Sequence, residues 1–496
     1  MINIITSVVL YKNRLCIGKD NELIFRFEYD MHFFKEKTIG NYPESTNIVV
    51  MGYNTYLSIP ENKIPLEKRI NIVLTSKTEL YNTQDYISML VNVETENRVY
   101  FMNLETFWDI YFHHKPVVFV IGGSQIYDLF IYRARNIYLT DIKTIDNKDV
   151  KFTVEKEPNV FLTHFPSKFK LKTISEKHIS KNGLYSYRFL KYEEGERRSD
   201  EYQYINLIKN IISSGNRRDD RTQTGTISIF GTQLRFNISE CIPLMTLKQV
   251  PFRIILEELL WFCRGDTDSK ILQNKNVHIW DGNTSREFLD KQGLTDYDEG
   301  ILGPGYGFQW RHQGAKYQQE YADTSKVDTS SIGGFDQLAY VEHLLKTDPF
   351  SRRIVISAWN PSDFDKTALV PCHILLQFYV EQVNNEKYLS CQFYMRSNDV
   401  FLANVFNIVS YTILTYILAL KCNMKPKEIV YTCGDAHIYR NHLEQVNELL
   451  DRKPRPFPKL ILNKSLKTKD WSEIQEQDFD LVGYYPHSAI KAPMAI

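Results

Sequence analysis

The chain has 496 residues, 43% of them hydrophobic and 24% charged, so it is long enough for two or three globular domains with sizeable cores. Its 60 basic and 60 acidic residues give a formal net charge of zero, which excludes the strong basic excess typical of nucleic-acid-binding proteins. The seven cysteines are scattered without a CxxC pair, which argues against a disulfide framework and a zinc site, and we expect no metal.

No run approaches eighteen apolar residues, and the opening MINIITSVVLYKNR lacks the basic segment and cleavage site of a secretory signal. We therefore expect a soluble, cytoplasmic protein that requires neither a membrane nor nucleic acid. The sequence contains no internal repeat and no long low-complexity tract.

The first 193 residues have the pattern of an α/β domain. Short apolar segments alternate there with helical patterns and predict strands at 48–51, 70–75, 117–121 and 136–140. Asp30 lies near the start of a helical pattern with Met31, Phe33 and Phe34. A carboxylate in the first helical turn is usually a capping charge, and Asp30 alone would be interpreted in that way.

Two glycine-bearing turns follow strands in this domain, MGYNTY from Met51 and VIGGSQIY from Val120. Each places glycine where a strand ends and a helix begins, so backbone N–H groups could bind a phosphate. One such turn is weak evidence, because most strand-to-helix turns contain glycine. Two in one small domain favour a dinucleotide-binding surface, although the spacing differs from the usual Rossmann fingerprint.

The conspicuous change of composition is YEEGERRSDE, which is charged and nearly devoid of apolar residues. It is either a solvated loop or a domain linker. We favour a linker, because long amphipathic helices follow, such as Tyr202–Ser213 and Phe252–Cys263. We therefore predict a first domain at 1–193, a short charged linker at 194–201 and a second domain at 202–496.

The segment between residues 368 and 411 has the highest concentration of side chains that could bind a substrate or take part in catalysis. Cys372 precedes an alternating apolar run at 374–380 that predicts a half-buried strand, and Arg396 and Ser397 end a second strand pattern. A guanidinium near a thiol favours the nucleophilic thiolate, and guanidinium groups also bind phosphates. One cluster could therefore hold a phosphorylated substrate and activate the thiol that attacks it. We interpret the other six cysteines as small buried hydrophobic residues.

These motifs resemble two enzyme families. PCHILLQFYV, YMRSNDVF, FNIVSY and GDAHIY are similar to thymidylate synthase, as are, in the same order, DRTQTGTISIFG, EELLWFCRGDT, HIWDGN, GPGYGFQWRH, SRRIVISAWNP and IKAPMAI. The first 193 residues resemble dihydrofolate reductase in IGKDNEL, MGYNTYLSIP, IPLEKRINIVLTS, VIGGSQIY and YLTDI. The order of the two halves resembles the bifunctional dihydrofolate reductase–thymidylate synthase family.

The resemblance implies an N-terminal mixed sheet flanked by helices and a C-terminal α+β domain. The C-terminal domain would reductively methylate dUMP to dTMP with 5,10-methylenetetrahydrofolate and release dihydrofolate. The N-terminal domain would reduce dihydrofolate to tetrahydrofolate with NADPH. A homodimer through the synthase domain is also implied, because arginines from two subunits would bind the dUMP phosphate.

The resemblance assigns three catalytic residues to the synthase half. Cys372 would add to C6 of dUMP, Glu258 would organise water for proton transfers, and Tyr306 would help to remove the C5 proton. The dUMP-binding residues would be Arg221, Arg352, Arg353, His373, Arg396, Ser397, Asp399, Asn407, His437 and Tyr439, with Arg352 and Arg353 donated by the second subunit. The folate-binding residues of this half would be Trp280, Asp399 and Phe406.

Three local expectations accompany these assignments. The apolar context EELLWF predicts that burial raises the pKa of Glu258, whereas a charged helix face accounts for Glu257. The donor and acceptor of Asn407 match O4 and N3–H of uracil, which favours dUMP over dCMP. His373 directly follows Cys372, so on a strand it would point to the opposite face and would not be the base for the thiol.

In the reductase half, the resemblance makes Asp30 the carboxylate that binds the pteridine ring and assists protonation at N5. Arg69 would bind the glutamate carboxylate of the folate. The folate-binding residues would be Val8, Val9, Asp30, Phe34, Leu66, Arg69 and Thr140. The residues that bind NADPH would be Gly18, Gly52, Tyr53, Asn54, Thr55, Thr75, Ser76, Lys77, Gly122, Gly123, Ser124 and Gln125.

The chain departs from both families at several positions. Ile24-Phe25 replaces the usual Pro-Trp before the acidic helix. Tyr53 and Asn54 stand where a basic residue commonly contacts the 2′-phosphate, so the choice of NADPH would rest on Ser76 and Lys77. In the synthase half, the departures are Met395 in place of Gln and Ala403 in place of Gly, and they predict weaker folate binding or slower turnover.

Three alternatives remain at this point. The reductase half could be a degenerate, non-catalytic binding module fused to an active synthase. The chain could be a non-enzymatic nucleotide- or RNA-binding protein. A thiol hydrolase with a Cys372–His373 dyad is the least favoured, because adjacent strand residues point to opposite faces.

Overall fold

The computed structural model describes residues 1–20, 22–42, 44–81, 99–145, 152, 157–195, 199–219 and 224–493. The chain divides into two compact units, Met1–Ser199 and Asp200–Ile496. Each unit has its own sheet and its own buried core.

The elements of the first unit are named in chain order. Its strands are β1 (Ile2–Tyr11), β2 (Arg14–Gly18), β3 (Ile48–Gly52), β4 (Ile70–Leu74), β5 (Val99–Met102), β6 (Val118–Gly122), β7 (Asn136–Thr144), β8 (Val160–Leu162), β9 (Phe169–Ile174), β10 (His178–Ile179) and β11 (Tyr185–Glu194). Its helices are α1 (Glu28–Ile39), α2 (Tyr53–Ser58), α3 (Leu104–His114) and α4 (Ser124–Phe130).

The first unit is built on one mixed sheet. Strands β7, β1, β6, β3, β4 and β5 lie side by side in that order and are parallel, while β11 pairs antiparallel with β7. Every residue of β3 and β4 is buried, as expected for parallel strands covered on both faces. The four predicted strands are confirmed as β3, β4, β6 and β7, with β7 continuing to Thr144.

The parallel register brings the two glycine turns together. Gly52 at the end of β3 is opposite Leu74 of β4, and Met51 is opposite Gly122 at the end of β6. Because parallel strands end at the same edge of a sheet, the turns after β3, β4 and β6 meet there. This edge carries the first cavity described below.

The second unit contains two sheets and longer helices. Its strands are β12 (Asn216–Arg218), β13 (Thr226–Asn237), β14 (Val355–Ser357), β15 (His373–Val383), β16 (Glu386–Asp399), β17 (Lys425–Tyr439), β18 (Lys459–Leu462) and β19 (Phe479–Val482). Its helices are α5 (Glu201–Ser214), α6 (Phe252–Arg264), α7 (Lys270–Gln273), α8 (Arg286–Lys291), α9 (Tyr306–His312), α10 (Gln337–Thr347), α11 (Asn404–Lys421) and α12 (Leu443–Asp451).

The larger sheet has the strand order β12, β13, β17, β16, β15, β14, and only the β16–β17 pair is parallel among the described strands. Helix α11 contacts β16 and β17, and most of its side chains are buried. The predicted helices at 202–213 and 252–263 are confirmed as α5 and α6. The second unit therefore has the expected α+β character.

Helix α11 is long and apolar enough to cross a membrane by length and composition alone. In this structure 78% of it is buried inside the second unit. It packs on the sheet as the central helix of the core.

Three side chains differ from the sequence-based expectation. Glu257 does not lie on a solvated helix face, because it is 4% exposed and forms a 2.6 Å ion pair with Lys275. Glu201, expected in the charged linker, is fully buried at the start of α5, where it accepts hydrogen bonds from Thr246 and Leu247. Cys241 is only half-buried, although it was expected in the core.

Candidate active sites

The first cavity lies where β3, β4 and β6 end, and it has a volume of about 550 Å³. A volume of this size is within the range of roughly 300–1,000 Å³ typical of ligand sites. The residues predicted to bind NADPH share this cavity, and all twelve line it: Gly18, Gly52, Tyr53, Asn54, Thr55, Thr75, Ser76, Lys77, Gly122, Gly123, Ser124 and Gln125.

The glycines keep this cavity open. A Cβ atom on Gly122 or Gly123 would lie 3.3 Å from Oγ1 of Thr55, and one on Gly52 would lie 2.9 Å from Cγ1 of Ile126. Gly122 also has a φ of +136°, which L side chains rarely adopt. Side chains at these positions would fill the cradle that the backbone forms, so the residues present fit an extended dinucleotide such as NADPH.

Asp30 is held by two hydroxyl groups. Oδ2 accepts a 2.8 Å hydrogen bond from Ser7, and Oδ1 accepts a 2.6 Å hydrogen bond from Thr140. The Asp30 side chain is buried, and its desolvation raises the pKa of the carboxyl, although the two hydrogen bonds partly oppose the rise. Asp30 is therefore more than the capping charge that the sequence alone suggested.

The remaining predicted folate residues surround the first helix. The guanidinium of Arg69 donates to Oγ1 of Thr38 over 2.7 Å and lies 5.9 Å from the ring centre of Phe34. Burial lowers the pKa of Arg69 to about 10. No carboxylate of the described residues forms an ion pair with Arg69, whose guanidinium donates to the carbonyl of Glu67 and the hydroxyl of Thr38.

Leu66 lies in a loop and Val8 and Val9 lie on β1, and both segments are held in place. Asn71 exchanges hydrogen bonds with the backbone N–H and C=O of Leu66, which fixes that loop. Val8 and Val9 are buried on β1 and border a space beside Ile24 and Phe25. Phe25 packs among aromatic rings, with the Tyr185 centroid 4.6 Å away, so the departure from Pro-Trp keeps an apolar wall.

The second unit contains a cavity of about 720 Å³ around Cys372. Twelve of the predicted synthase residues line it: Glu258, Trp280, Tyr306, Cys372, His373, Arg396, Ser397, Asp399, Phe406, Asn407, His437 and Tyr439. Arg352 and Arg353 are exposed and do not line the cavity of their own chain. Arg221 and the last tail residues, 494–496, lie outside the described residues.

The backbone N–H and C=O of Cys372 are both held by hydrogen bonds. Its N–H donates to the hydroxyl of Tyr306 over 2.8 Å, and its C=O accepts from the backbone N–H of Arg396 over 2.9 Å. Nη2 of Arg396 lies 3.6 Å from the sulfur, and the same guanidinium donates to the carbonyls of Val370 and Pro371. A positive charge at this distance favours the thiolate that attacks.

His373 is placed differently from the sequence-based expectation. Cys372 precedes β15, so strand alternation does not separate the two residues, and both line the cavity. The imidazole stacks on Tyr306 with centroids 3.8 Å apart and hydrogen-bonds to the hydroxyl of Tyr411. Burial lowers the pKa of His373 to about 3, so the ring is neutral.

Glu258, which is half-buried, and Trp280, which is buried, form a polar pair at the cavity wall. The indole N–H of Trp280 donates to Oε1 of Glu258 over 2.9 Å. Burial raises the pKa of Glu258 to about 7, in the direction expected from its apolar context. The carboxyl can therefore gain or lose a proton near neutral pH.

Two further polar side chains of the cavity are held by hydrogen bonds at or just before the start of α11. Nδ2 of Asn407 donates to the carbonyl of Ala403 over 3.1 Å, which orients the amide at the cavity surface. Oδ1 of Asp399 accepts from the backbone N–H groups of Phe401 and Leu402. Met395 is buried and contributes an apolar surface to the same cavity.

Sequence reasoning missed Arg218 and Asp435, which also line the cavity. Asp435 accepts from Arg218 over 2.9 Å and lies 3.3 Å from Nδ1 of His437. Asp435 is part of the quoted motif GDAHIY, but only the β16–β17 register, in which it is opposite Ser397, brings it to the site.

Comparison with known proteins identifies a family for each unit. The family model for thymidylate synthase matches residues 202–496, and that for dihydrofolate reductase matches residues 4–194. A bifunctional dihydrofolate reductase-thymidylate synthase from Zea mays is 41% identical over 97% of this chain and 94% of its own length. Proteins of the same name from Paramecium tetraurelia and Leishmania major are 39% and 36% identical, over 97% of this chain and 96% and 93% of their lengths. The chain belongs to the bifunctional dihydrofolate reductase–thymidylate synthase family.

Proposed function

We propose that each unit of this bifunctional enzyme carries out one of its two reactions in its own cavity, through the residues described above. The enzyme reductively methylates dUMP to dTMP with 5,10-methylenetetrahydrofolate, which leaves dihydrofolate, and it reduces dihydrofolate to tetrahydrofolate with NADPH. Nothing in its relatives or its cavities favours a degenerate reductase unit. The assignment of individual residues is the part that we propose.

In the synthase cavity, the thiolate of Cys372 attacks C6 of the pyrimidine, and C5 then attacks the one-carbon unit of the folate. The guanidinium of Arg396 stabilises the thiolate before attack, because it lies 3.6 Å from the sulfur. Asn407 pairs with O4 and N3–H of uracil through an amide that Ala403 already orients. His437 and Tyr439 bind the sugar hydroxyl, and Ser397, Arg221 and Arg396 bind the phosphate.

Glu258 and Tyr306 have different tasks in proton transfer. Glu258 can exchange protons with water at the base, because burial brings its pKa to about 7. Burial and the nearby Cys372 raise the pKa of Tyr306 far above its ordinary value, so Tyr306 stays protonated. Tyr306 therefore helps to remove the C5 proton by positioning a water and not as a phenolate base. Trp280, Asp399 and Phe406 hold the pterin beside the base.

In the reductase unit, NADPH supplies the hydride when it is bound in the cavity between β3, β4 and β6. Asp30 binds the pteridine ring and assists protonation at N5, and its raised pKa keeps a proton available closer to neutral pH. Thr140 and Ser7 fix the carboxyl for that contact. Arg69 pairs with the glutamate carboxylate of the folate, and Phe34, Leu66, Val8 and Val9 form the apolar wall.

The synthase unit acts as a homodimer in this proposal. The larger sheet exposes apolar side chains, with Phe230 87% and Tyr379 67% exposed. An open sheet face with large apolar residues is typical of a protein interface. Arg352 and Arg353 do not reach the cavity of their own chain, so a second copy would supply them to the phosphate.

The domain bounds at 193 and 202 remain our proposal. The division between Ser199 and Asp200 and the ranges matched by the two family models support them. We also propose that the enzyme works in the cytoplasm without nucleic acid, in agreement with its net charge of zero.

The contact between Arg396 and Cys372, inside a cavity lined by seven of the ten predicted dUMP-binding residues, carries this proposal. It is tested by assaying both half-reactions on one full-length preparation: tritium release from 5-tritiated dUMP, and dihydrofolate-dependent oxidation of NADPH. Cys372→Ala should abolish the first reaction and preserve the second. Asp30→Asn should do the reverse.

The matched controls are Cys241→Ala, a half-buried cysteine outside the cavity, and Asp109→Asn, an exposed aspartate on α3. Both controls should retain both activities. Tritium release that survives in Cys372→Ala would refute the assignment of Cys372 as the nucleophile.

A further inference from the structure

Asp435 is a charged residue of the synthase cavity to which the sequence assigned no task. It lies on β17, two residues before His437 and four before Tyr439, the two residues proposed to bind the sugar. Side chains alternate along a strand, so these three residues point to the same face, and all three line the cavity. The carboxylate of Asp435 therefore stands beside the proposed sugar-binding residues, and its contacts indicate which of them it acts on.

The two oxygens of the Asp435 carboxylate have different partners. Oδ2 accepts a hydrogen bond from Nη1 of Arg218 over 2.9 Å, and Oδ1 lies 3.3 Å from Nδ1 of His437. These contacts lower the pKa of Asp435, and the hydrogen bond with His437 contributes most. Asp435 is therefore ionised at neutral pH, and an ionised carboxylate can only accept hydrogen bonds.

This contact determines which nitrogen of the His437 ring carries a proton. Because Oδ1 of Asp435 is an acceptor, Nδ1 is the donor, and in a neutral imidazole the other nitrogen, Nε2, then has a free lone pair. The His437 side chain is only 11% exposed, and its ring makes an edge-to-face contact with Tyr439 at 5.2 Å between centroids. Neighbours therefore hold the ring on two sides, and Asp435 defines its acceptor nitrogen.

We propose that Asp435 is a positioning residue that holds the Nδ1–H of His437, so that Nε2 accepts a hydrogen bond from the 3′-hydroxyl of dUMP. That hydroxyl is the one O–H group on the sugar of dUMP, because the 2′ carbon has no oxygen and the 5′ oxygen carries the phosphate. The inference rests on the proposed dUMP site and goes beyond it by assigning a tautomer to His437 and a task to Asp435. Without the carboxylate, the ring loses its fixed orientation and its fixed tautomer, so this hydrogen bond forms in only part of the molecules.

The test measures binding of two nucleotides to the full-length protein by isothermal titration calorimetry. They are dUMP and 2′,3′-dideoxyuridine 5′-monophosphate, which lacks the 3′-hydroxyl. The unaltered protein should bind dUMP about 10-fold more tightly, as expected for one or two hydrogen bonds to the hydroxyl. Asp435→Ala should lower this preference to about 2-fold and leave binding of the dideoxynucleotide unchanged.

Two further variants separate positioning from general support of the cavity. His437→Ala should lower the preference as Asp435→Ala does, and the double variant should bind dUMP no more weakly than His437→Ala alone, because Asp435 acts through His437. Asp435→Asn should show an intermediate preference, because its amide oxygen still accepts from Nδ1–H although the amide carries no charge.

Asp128→Ala is the matched control, because Asp128 lies 3.0 Å from Nδ1 of His164 and forms the same kind of pair in the first unit. It should bind both nucleotides as the unaltered protein does. An unchanged preference in Asp435→Ala, equal losses for both nucleotides in Asp435→Ala and Asp435→Asn, or an additive loss in the double variant would each refute the positioning role. If the unaltered protein binds neither nucleotide, the proposed dUMP site itself is wrong; if it binds both equally, the contact of His437 with the sugar is wrong.

Discussion

Nη2 of Arg396 lies 3.6 Å from the sulfur of Cys372, and Nε of the same side chain donates over 2.8 Å to the carbonyl of Pro371. One guanidinium therefore places a positive charge beside the proposed nucleophile and also holds the loop that precedes it. The planar guanidinium of arginine has several N–H donors and can make these contacts together, whereas the ammonium of lysine is a single point charge.

Arg396→Lys should therefore lower kcat/KM of the synthase although it keeps the charge. We expect a loss of about 10²-fold, comparable with removal of one preorganised donor from an active site. The dihydrofolate-dependent oxidation of NADPH should not change. Arg235→Lys is the control, because Arg235 forms an exposed ion pair with Glu428 on the same sheet. An Arg396→Lys enzyme with full synthase activity would show that charge alone is sufficient.

Asp30→Asn should separate activity from stability in the reductase unit. The proposed role of Asp30 in proton transfer predicts that its loss lowers the reductase rate about 10²- to 10⁴-fold. Because burial raises the pKa of Asp30, the folded protein binds this proton more tightly than the unfolded protein, so stability is lost as the pH rises through the folded pKa. Asp30→Asn should therefore raise the unfolding temperature at neutral pH.

Differential scanning calorimetry at two pH values measures this stability effect. A gain of 1 kcal/mol corresponds to about 2–4 °C for a domain of this size. The gain should shrink at acidic pH, where Asp30 is protonated in both states. A variant that is inactive and also less stable at neutral pH would contradict the assigned desolvation.

Trp280→Phe should move the pH dependence of the synthase toward alkaline pH. The indole N–H stabilises the carboxylate form of Glu258, whose pKa burial raises to about 7. Removing this donor raises the pKa of Glu258 further. The part of the plot of kcat against pH that is controlled by Glu258 should therefore shift to higher pH, whether the protonated or the ionised carboxyl is the active form. The profile is measured at saturating folate, because Trp280 lines the cavity around Cys372 and is a proposed folate-binding residue.

Trp359→Phe is the control for that experiment, since Trp359 is a partly exposed tryptophan of the same unit outside the cavity. Its pH profile should match that of the unaltered enzyme. An unchanged pH profile in Trp280→Phe would mean that ionisation of Glu258 does not control the pH dependence of kcat.

Phe230→Glu combined with Tyr379→Glu should dissociate the proposed dimer. The charges replace side chains that are 87% and 67% exposed on the sheet face, so the fold of the single unit should tolerate them. Sedimentation should then report a monomer without synthase activity, because Arg352 and Arg353 would be missing from the phosphate site. Reductase activity should remain.

Subunit mixing tests the same interface without altering the sheet. Arg352→Ala and Cys372→Ala homodimers should each be inactive as synthases. Hybrids formed by exchange should recover activity, because one of their two sites has both an intact thiol and an intact arginine. Absence of recovery in hybrids would contradict the donation of Arg352 by the second subunit.

Sequence patterns were sufficient for several elements of this protein. The four strands predicted in the first 193 residues and helices α5 and α6 are present, because hydrophobic periodicity records which faces are buried. The resemblance also identified residues that line two separate cavities, since short motifs carry the side chains that chemistry requires. Glu257 was misjudged because burial of a charge depends on a partner, Lys275, that is distant in sequence.

By itself, the sequence determined the family and the two-unit organisation, and it supplied the reacting groups that we propose. Only the tertiary structure decided how those groups are held: His373 on the same cavity as Cys372, Asp435 beside His437, and Lys77 over the ring of Tyr53. The physical reason is that sheet register and loop packing set distances between residues far apart in the chain. Local periodicity carries no information about those distances.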